Sequence, residues 1–243
     1  MASSPGRVAL VTGAGQRVGR VIAEVLAARG WRIVVHYFGS GAGAAEAVQG
    51  IVRAGGAAVA QQADLRDPAA IEPLVADAQA AFGRLDLLVN SAAGMVRTPV
   101  GTMTAGTFDA IVALNLRAPL LLAQAAAKVM PAGSAIVNIA DHMALEPWPD
   151  YAVHGIAKAG VIAMTRHLAA ALAPAIRVNA VAPGFVLAPE GSDAAFAARF
   201  AADTPLRRLG APQDVAEAVA YLADAGYVTG ETLFVDGGRR VRP

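Results

Sequence analysis

The chain has 243 residues, 56% of them apolar and 16% charged, so it can bury a substantial core and is neither disordered nor fibrous in composition. Its net charge is +1, and the 20 Lys/Arg are scattered rather than gathered into the basic stripe that a nucleic-acid partner would need. It has no cysteine, which excludes disulfides and thiolate metal sites.

The opening "MASSPGR" lacks the apolar stretch of a signal peptide, and Arg, Asn, Lys or Pro interrupts the longest apolar passages before 18 residues. No membrane partner and a cytoplasmic placement are therefore expected. In chain order, β-branched runs alternate with alanine-rich helical patterns. Strands are predicted at 7–13, 32–37, 57–65, 85–92, 134–140, 176–183 and 232–238. Helices are predicted at about 18–29, 41–54, 68–82, 105–129, 151–172 and 212–223, with Gly30 after the first and Pro68 and Pro212 opening two others.

Several strands are nearly continuous Val/Ile/Leu, the pattern of a parallel sheet covered on both faces. The expectation is one α/β domain over 1–243: a Rossmann-type, doubly wound parallel sheet of about seven strands with helices on both faces. The one long departure from alternation, 184–212, is expected to lie as a lid over the carboxyl ends of the strands, where such folds bind ligands.

"TGAGQRVGR" (12–20) follows the first strand and opens the first helix. Gly13 permits a tight turn, Gly19 lets the helix pack closely on the sheet, and the helix amides then face an anion. A dinucleotide is the expected ligand. The second strand ends in "HYFGS" (36–40), with no carboxylate to repel a 2′-phosphate. Arg17, His36 and Ser40 could contact that phosphate, although Arg17 could equally be solvated and His36 packed under the adenine. NADP(H) is the expected cofactor.

Ordered motifs then carry a resemblance over essentially the whole chain. The glycine turn fits TGxxxGxG with Arg17 at the middle glycine and Val18 before Gly19; Tyr37 follows His36. Asp64-Leu65, "NSAAG" (90–94), Asn115 in "ALNL", Pro183-Gly184 and "VTGETLFVDGG" (228–238) fall in the expected order. The chain resembles the short-chain dehydrogenase/reductase family. That resemblance implies an adenine contact at Asp64 and Leu65, a cofactor-side turn at Asn90, Ser91 and Ala92, and a nicotinamide-side turn at Pro183 and Gly184. It also implies that Lys158 holds the nicotinamide ribose, that Asn115 supports a proton relay, and that the protein is a homotetramer.

Arg17, "HY..S" and Asp141 at the usual serine position resemble the pteridine-reductase branch, which implies a flat heterocyclic substrate near Arg17 and Asp141. Two positions depart from that branch: Gly39 stands where a basic residue is usual, and Met95 where an aromatic residue stacks on the pterin. Trp148 and Phe185 are further candidates for the substrate wall, with ordinary core packing as the alternative. No spacing of His and carboxylates predicts a metal site.

"DYAVHGIAKAG" (150–160) holds the main departure from the family, whose proton donor is a tyrosine one turn before the lysine. Here that position is His154, on the same helix face as Lys158. A tyrosine must be brought down from about 10, whereas histidine starts near 6.5. A nearby ammonium would lower the histidine further, and a carboxylate at Asp141 would counter it. Asp141–His154–Lys158 is thus a coherent substitute for Ser–Tyr–Lys, with His154 as proton donor. Tyr151, water or Asp141 itself could supply the proton instead, and a catalytically silent NADP-binding protein is a further alternative. Reduction of C=N or C=O in a small molecule is the expected activity; 3-oxoacyl or ketone reduction is the alternative within enzymes.

Overall fold

The computed structural model describes residues 6–187 and 194–241. Seven strands form one parallel sheet: β1 Val8–Val11, β2 Arg32–Tyr37, β3 Ala58–Gln62, β4 Leu87–Asn90, β5 Ser134–Ile139, β6 Ile176–Pro183 and β7 Thr232–Val235. Their order is β3-β2-β1-β4-β5-β6-β7. The chain winds outward from β1 to β3, then returns to the other side of β1, so the switch point falls between β1 and β4.

Alternating side chains supply two separate cores. Ala9 and Val11 of β1 face one layer, built with α1 (Arg17–Ala28) and α2 (Gly41–Arg53). Val8 and Leu10 face the other, built with α3 (Ile71–Phe82) and the helix that follows β4. Because both faces are covered, the strands read as unbroken apolar runs.

Local signals set several boundaries. The carboxylate of Asp67 accepts from the amide of Ala69 at 2.9 Å ahead of α3, which ends at Gly83 in a left-handed conformation. Arg177 of β6 donates to the carbonyls of Leu222 and Ala223 at 2.8 and 2.7 Å, closing the end of the helix Pro212–Asp224.

The predicted helix 105–129 is α4 (Ala105–Val112), a π turn (Ala113–Arg117) and α5 (Ala118–Ala127) in one run. That 23-residue run is long and apolar enough to cross a membrane, yet half of its most apolar stretch is buried, as in a core helix. The later helices are α6 (Ala152–Leu172), α7 (Ala194–Ala202) and α8 (Pro212–Asp224). Within the predicted 184–212 lid, α7 is regular helix, and 188–193 lies outside the described residues.

A buried polar chain braces the sheet beneath the switch point. Asn90 donates to Asn138 at 2.9 Å, and Asn138 to Thr165 of α6 at 3.0 Å. Asn90 was expected at the cofactor; instead it lies under the cleft and spends its amide on β5.

Candidate active site

A cleft of about 700 Å³ opens at the carboxyl ends of the strands. Gly13, Arg17, Val18 and Gly19 line it on one side, Ser91, Ala92 and Met95 on another, and Pro183 and Gly184 on a third. Gly13 has φ +66°, and a Cβ there would fall 2.9 Å from Cα of Ala92. A Cβ on Gly19 would come within 2.4 Å of the Gly13 carbonyl, so the turn can close onto α1 only with glycine at both positions.

The adenine end corrects one expectation. His36 is 2% exposed; its Nδ1 accepts from the amide of Gly13 at 3.1 Å and its Nε2 faces the carbonyl of Ala63 at 3.1 Å. Both nitrogens are committed to backbone, and burial lowers the ring below its ordinary value. A neutral, fully bonded imidazole has no charge to offer a phosphate. Its place is to hold the glycine turn against β2 and β3.

Arg17 keeps φ +53° where glycine would be unstrained, and its guanidinium has no hydrogen-bond or ion-pair partner among the described residues. Ser40, at the start of α2, and Tyr37 also line this end. Asp64 lies there too, but Arg66 clamps both its oxygens at 2.7–3.2 Å, and that guanidinium lowers the carboxyl. The negative charge near the adenine end is thus already paired. An exposed cation, a helix start with no acidic residue in its first turn and the cleft's volume together fit a phosphorylated dinucleotide.

At the other end, Asp141 leaves β5 and caps a short 3₁₀ turn, His142–Ala144. Its Oδ1 accepts from the amide of Met143 at 2.8 Å and lies 3.0 Å from Nδ1 of His142; its Oδ2 lies 3.4 Å from Nε2 of His154. Burial alone would raise Asp141. Hydrogen bonds from His142, His154 and the Met143 amide outweigh it and hold the carboxyl well below the usual range.

His154 is 3% exposed, and its Nδ1 faces the carbonyl of Gly94 at 3.3 Å. Both ring nitrogens therefore face acceptors, and only the doubly protonated ring can donate to both. Lys158, one turn on, donates to the carbonyl of Ile139 at 2.7 Å. Burial lowers its ammonium to about 8 against the opposing pull of Asp141.

Asn115, in the π turn, does not line the cleft. Its amide nitrogen donates to the carbonyls of Gly94 and Ile111 at 2.9 and 3.0 Å, and its oxygen accepts from the amide of Gly94 at 3.3 Å. It clamps Gly94, which in turn meets His154. Gly94 was only part of a quoted motif in the sequence; its carbonyl is a site atom that no side-chain signal could announce.

Two of the candidate substrate-wall residues do not line this cleft. Trp148 lines a second cavity of about 710 Å³ with Tyr151 and Ile156, and stacks on Phe200 at 5.9 Å. Phe185 stacks on Phe200 at 4.2 Å rather than lining the cleft. Tyr151, weighed as an alternative acid, lies on that second cavity, away from the wall shared by His154 and Lys158. Both histidines beside Asp141 aim a nitrogen at the carboxylate, and no group of three or more His, Cys, Asp or Glu among the described residues could hold a metal ion.

A doubly wound sheet with a glycine turn at its switch point, and a buried lysine facing that turn across the cleft, defines a dinucleotide-dependent oxidoreductase. Comparison with known proteins agrees. Residues 13–240 match the family model described as enoyl-(acyl carrier protein) reductase. An uncharacterized oxidoreductase of Methylorubrum extorquens is 40% identical, over 99% of this chain and 100% of its own. A 3-oxoacyl-[acyl-carrier-protein] reductase of Synechocystis is 36% identical, over 98% of each chain. The crystal structure of a blue fluorescent protein from a metagenomic library, in complex with NADPH, superposes with a TM-score of 0.90 at 34% identity, covering 96% of this chain and 98% of that one. The chain belongs to the short-chain dehydrogenase/reductase family and is an NAD(P)-dependent oxidoreductase acting on a small molecule.

Proposed function

We propose that the protein is an NADPH-dependent reductase of a C=N or C=O bond in a small, flat substrate, with the Asp141–His154 pair as its proton source. The observation that carries this reading is the 3.4 Å approach of His154 Nε2 to Asp141 Oδ2, on the cleft wall shared with Lys158. When bound, the cofactor supplies hydride to the substrate carbon.

The chain's own residues do the rest. Arg17 and Ser40 would hold the 2′-phosphate, the amides at the start of α1 the pyrophosphate, and Lys158 the ribose. A contact of 3.4 Å is at the long limit for a hydrogen bond, so the Nε2 proton is only loosely committed to the carboxylate. Asp141 is the more exposed member of the pair, its side chain at 24% against 4% for His154. The proton leaves on that side, toward the reduced atom, and the neutral ring keeps its Nδ1 bond to Gly94. Asp141 holds the ring in place and balances its charge when protonated.

The resemblance to pteridine reductases, through Arg17 and Asp141, favours a flat heterocycle. The Synechocystis relative favours a second reading, reduction of a 3-oxoacyl thioester or simple ketone. A homotetramer and a cytoplasmic location are part of the same proposal. NADPH oxidation with dihydrobiopterin, dihydrofolate and a 3-oxoacyl thioester tests it. Turnover of a pterin supports the first reading, turnover of the thioester alone supports the second, and no turnover across a broad carbonyl and imine panel points to a silent cofactor-binding protein.

A further inference from the structure

Asp141 is shared between two histidines, and only one of them faces the cleft. His142 is 5% exposed and packs edge-on against Trp148, with ring centroids 5.7 Å apart. Its Nδ1 lies 3.0 Å from Asp141 Oδ1 and 3.2 Å from the carbonyl of Pro183, both of them acceptors. A nitrogen between two acceptors must carry the proton, so the ring is the Nδ1–H tautomer. Its other nitrogen, Nε2, is buried and has no hydrogen-bond partner among the described residues.

That orphaned nitrogen is informative. A buried polar atom without a partner is unfavourable, and an apolar side chain would fill the space beside Trp148 at lower cost. What offsets the cost is the work of Nδ1. It donates to the carbonyl of Pro183, which lines the cofactor cleft, and lies 3.0 Å from the Oδ1 edge of the carboxylate, leaving Oδ2 turned to His154.

We infer that His142 is a positioning residue for the proton-donating pair: its Nδ1–H fixes the rotamer of Asp141 and thereby the approach of Oδ2 to His154. The inference rests on the proposed role of that pair. It asks nothing of Nε2, and it requires a donor at the Nδ1 position rather than an imidazole as such.

Two substitutions separate positioning from packing. The side-chain nitrogen of asparagine overlaps the Nδ1 position, so His142→Asn keeps the donor, whereas His142→Leu removes it and suits the buried, apolar surroundings. With the best substrate and NADPH, His142→Leu should lose about tenfold or more in kcat with KM little changed, the effect of one lost orienting hydrogen bond, and His142→Asn should recover most of that loss. A merely structural role ranks them the other way, with leucine the better replacement in both melting temperature and kcat. Full kcat in His142→Leu, or equal losses in both variants, overturns the inference.

If neither variant folds, long-range ¹H–¹⁵N spectra of the wild-type histidines decide it: a protonated Nδ1 on His142 supports the inference, and an Nε2–H tautomer overturns it. His154→Phe, assayed alongside, keeps the two ideas apart. Loss of rate there with full rate in His142→Leu sinks this inference alone, whereas full rate in His154→Phe sinks the proton-donor reading.

Discussion

Asn115 and His154 meet at one atom, the carbonyl oxygen of Gly94, at 2.9 Å from the asparagine Nδ2 and 3.3 Å from the histidine Nδ1. The π turn carries Asn115, and Asn115 fixes the peptide on which the imidazole leans; π turns recur at functional sites. Asn115→Ala should free Gly94 and lower kcat about fivefold with little change in KM, since a hydrogen bond of this kind is worth about 1 kcal/mol. Steady-state kinetics beside a thermal melt checks it, with a modest loss of melting temperature also expected.

Lys158 links activity to stability. Its folded value is about 8 against an ordinary 10.5, so between those values the unfolded chain binds the proton that the folded chain has released. Stability attributable to this group therefore rises with pH through that window, and at neutral pH the buried ammonium costs stability. Lys158→Met should abolish turnover yet stabilise the protein at pH 7, by about 1–2 kcal/mol once the lost compensation of Asp141 is allowed for. The advantage should shrink from pH 8 to 10.5 in urea titrations.

Asp141 has the opposite sign. Its carboxyl is held below the ordinary 3.8, so its contribution to stability is present above that value and lost progressively as pH falls below it toward the folded value. Asp141→Asn should lose stability at pH 7 and show a weaker pH dependence below pH 4. It should also lose activity by about 100-fold or more, because a carboxylate that orients and compensates a catalytic imidazole is not replaced by an amide. Denaturation curves at several pH values, with kinetics at pH 7, test both halves.

At the other end of the cleft, Arg17 combines a left-handed backbone with a guanidinium that has no protein partner among the described residues. Arg17→Gly should keep the turn, leave the melting temperature unchanged or slightly higher, and raise the KM for NADPH about tenfold while leaving NADH little affected. An equal effect on both cofactors would remove Arg17 from the 2′-phosphate.

The sheet was legible because buried parallel strands are written as unbroken runs such as "VALV" and "RIVV", and the glycine turn because its spacing follows from sterics. The π turn was not, since "ALNLR" continues the apolar period of α4 without a break. His36 read as a phosphate ligand because composition cannot tell an outward ring from one bonded at both nitrogens to Gly13 and Ala63. Trp148 and Phe185 were open between substrate wall and core packing; both stack on Phe200, and Trp148 also lines the second cavity. The Asp141–His154 pairing was legible from helical spacing and motif position. The second histidine was not, because Nδ1 of His142 reaches Asp141 only through the geometry of the 3₁₀ turn.

In the proposed chemistry an imidazole beside a carboxylate does what a phenol does elsewhere in the family. Single-turnover reduction by wild type and His154→Phe across pH 5–9 tests this most directly. The wild-type rate should depend on pH, and the variant should be slower by about 100-fold or more at neutral pH and lose that dependence. A variant that matches the wild-type rate and profile throughout the range would contradict proton donation by His154.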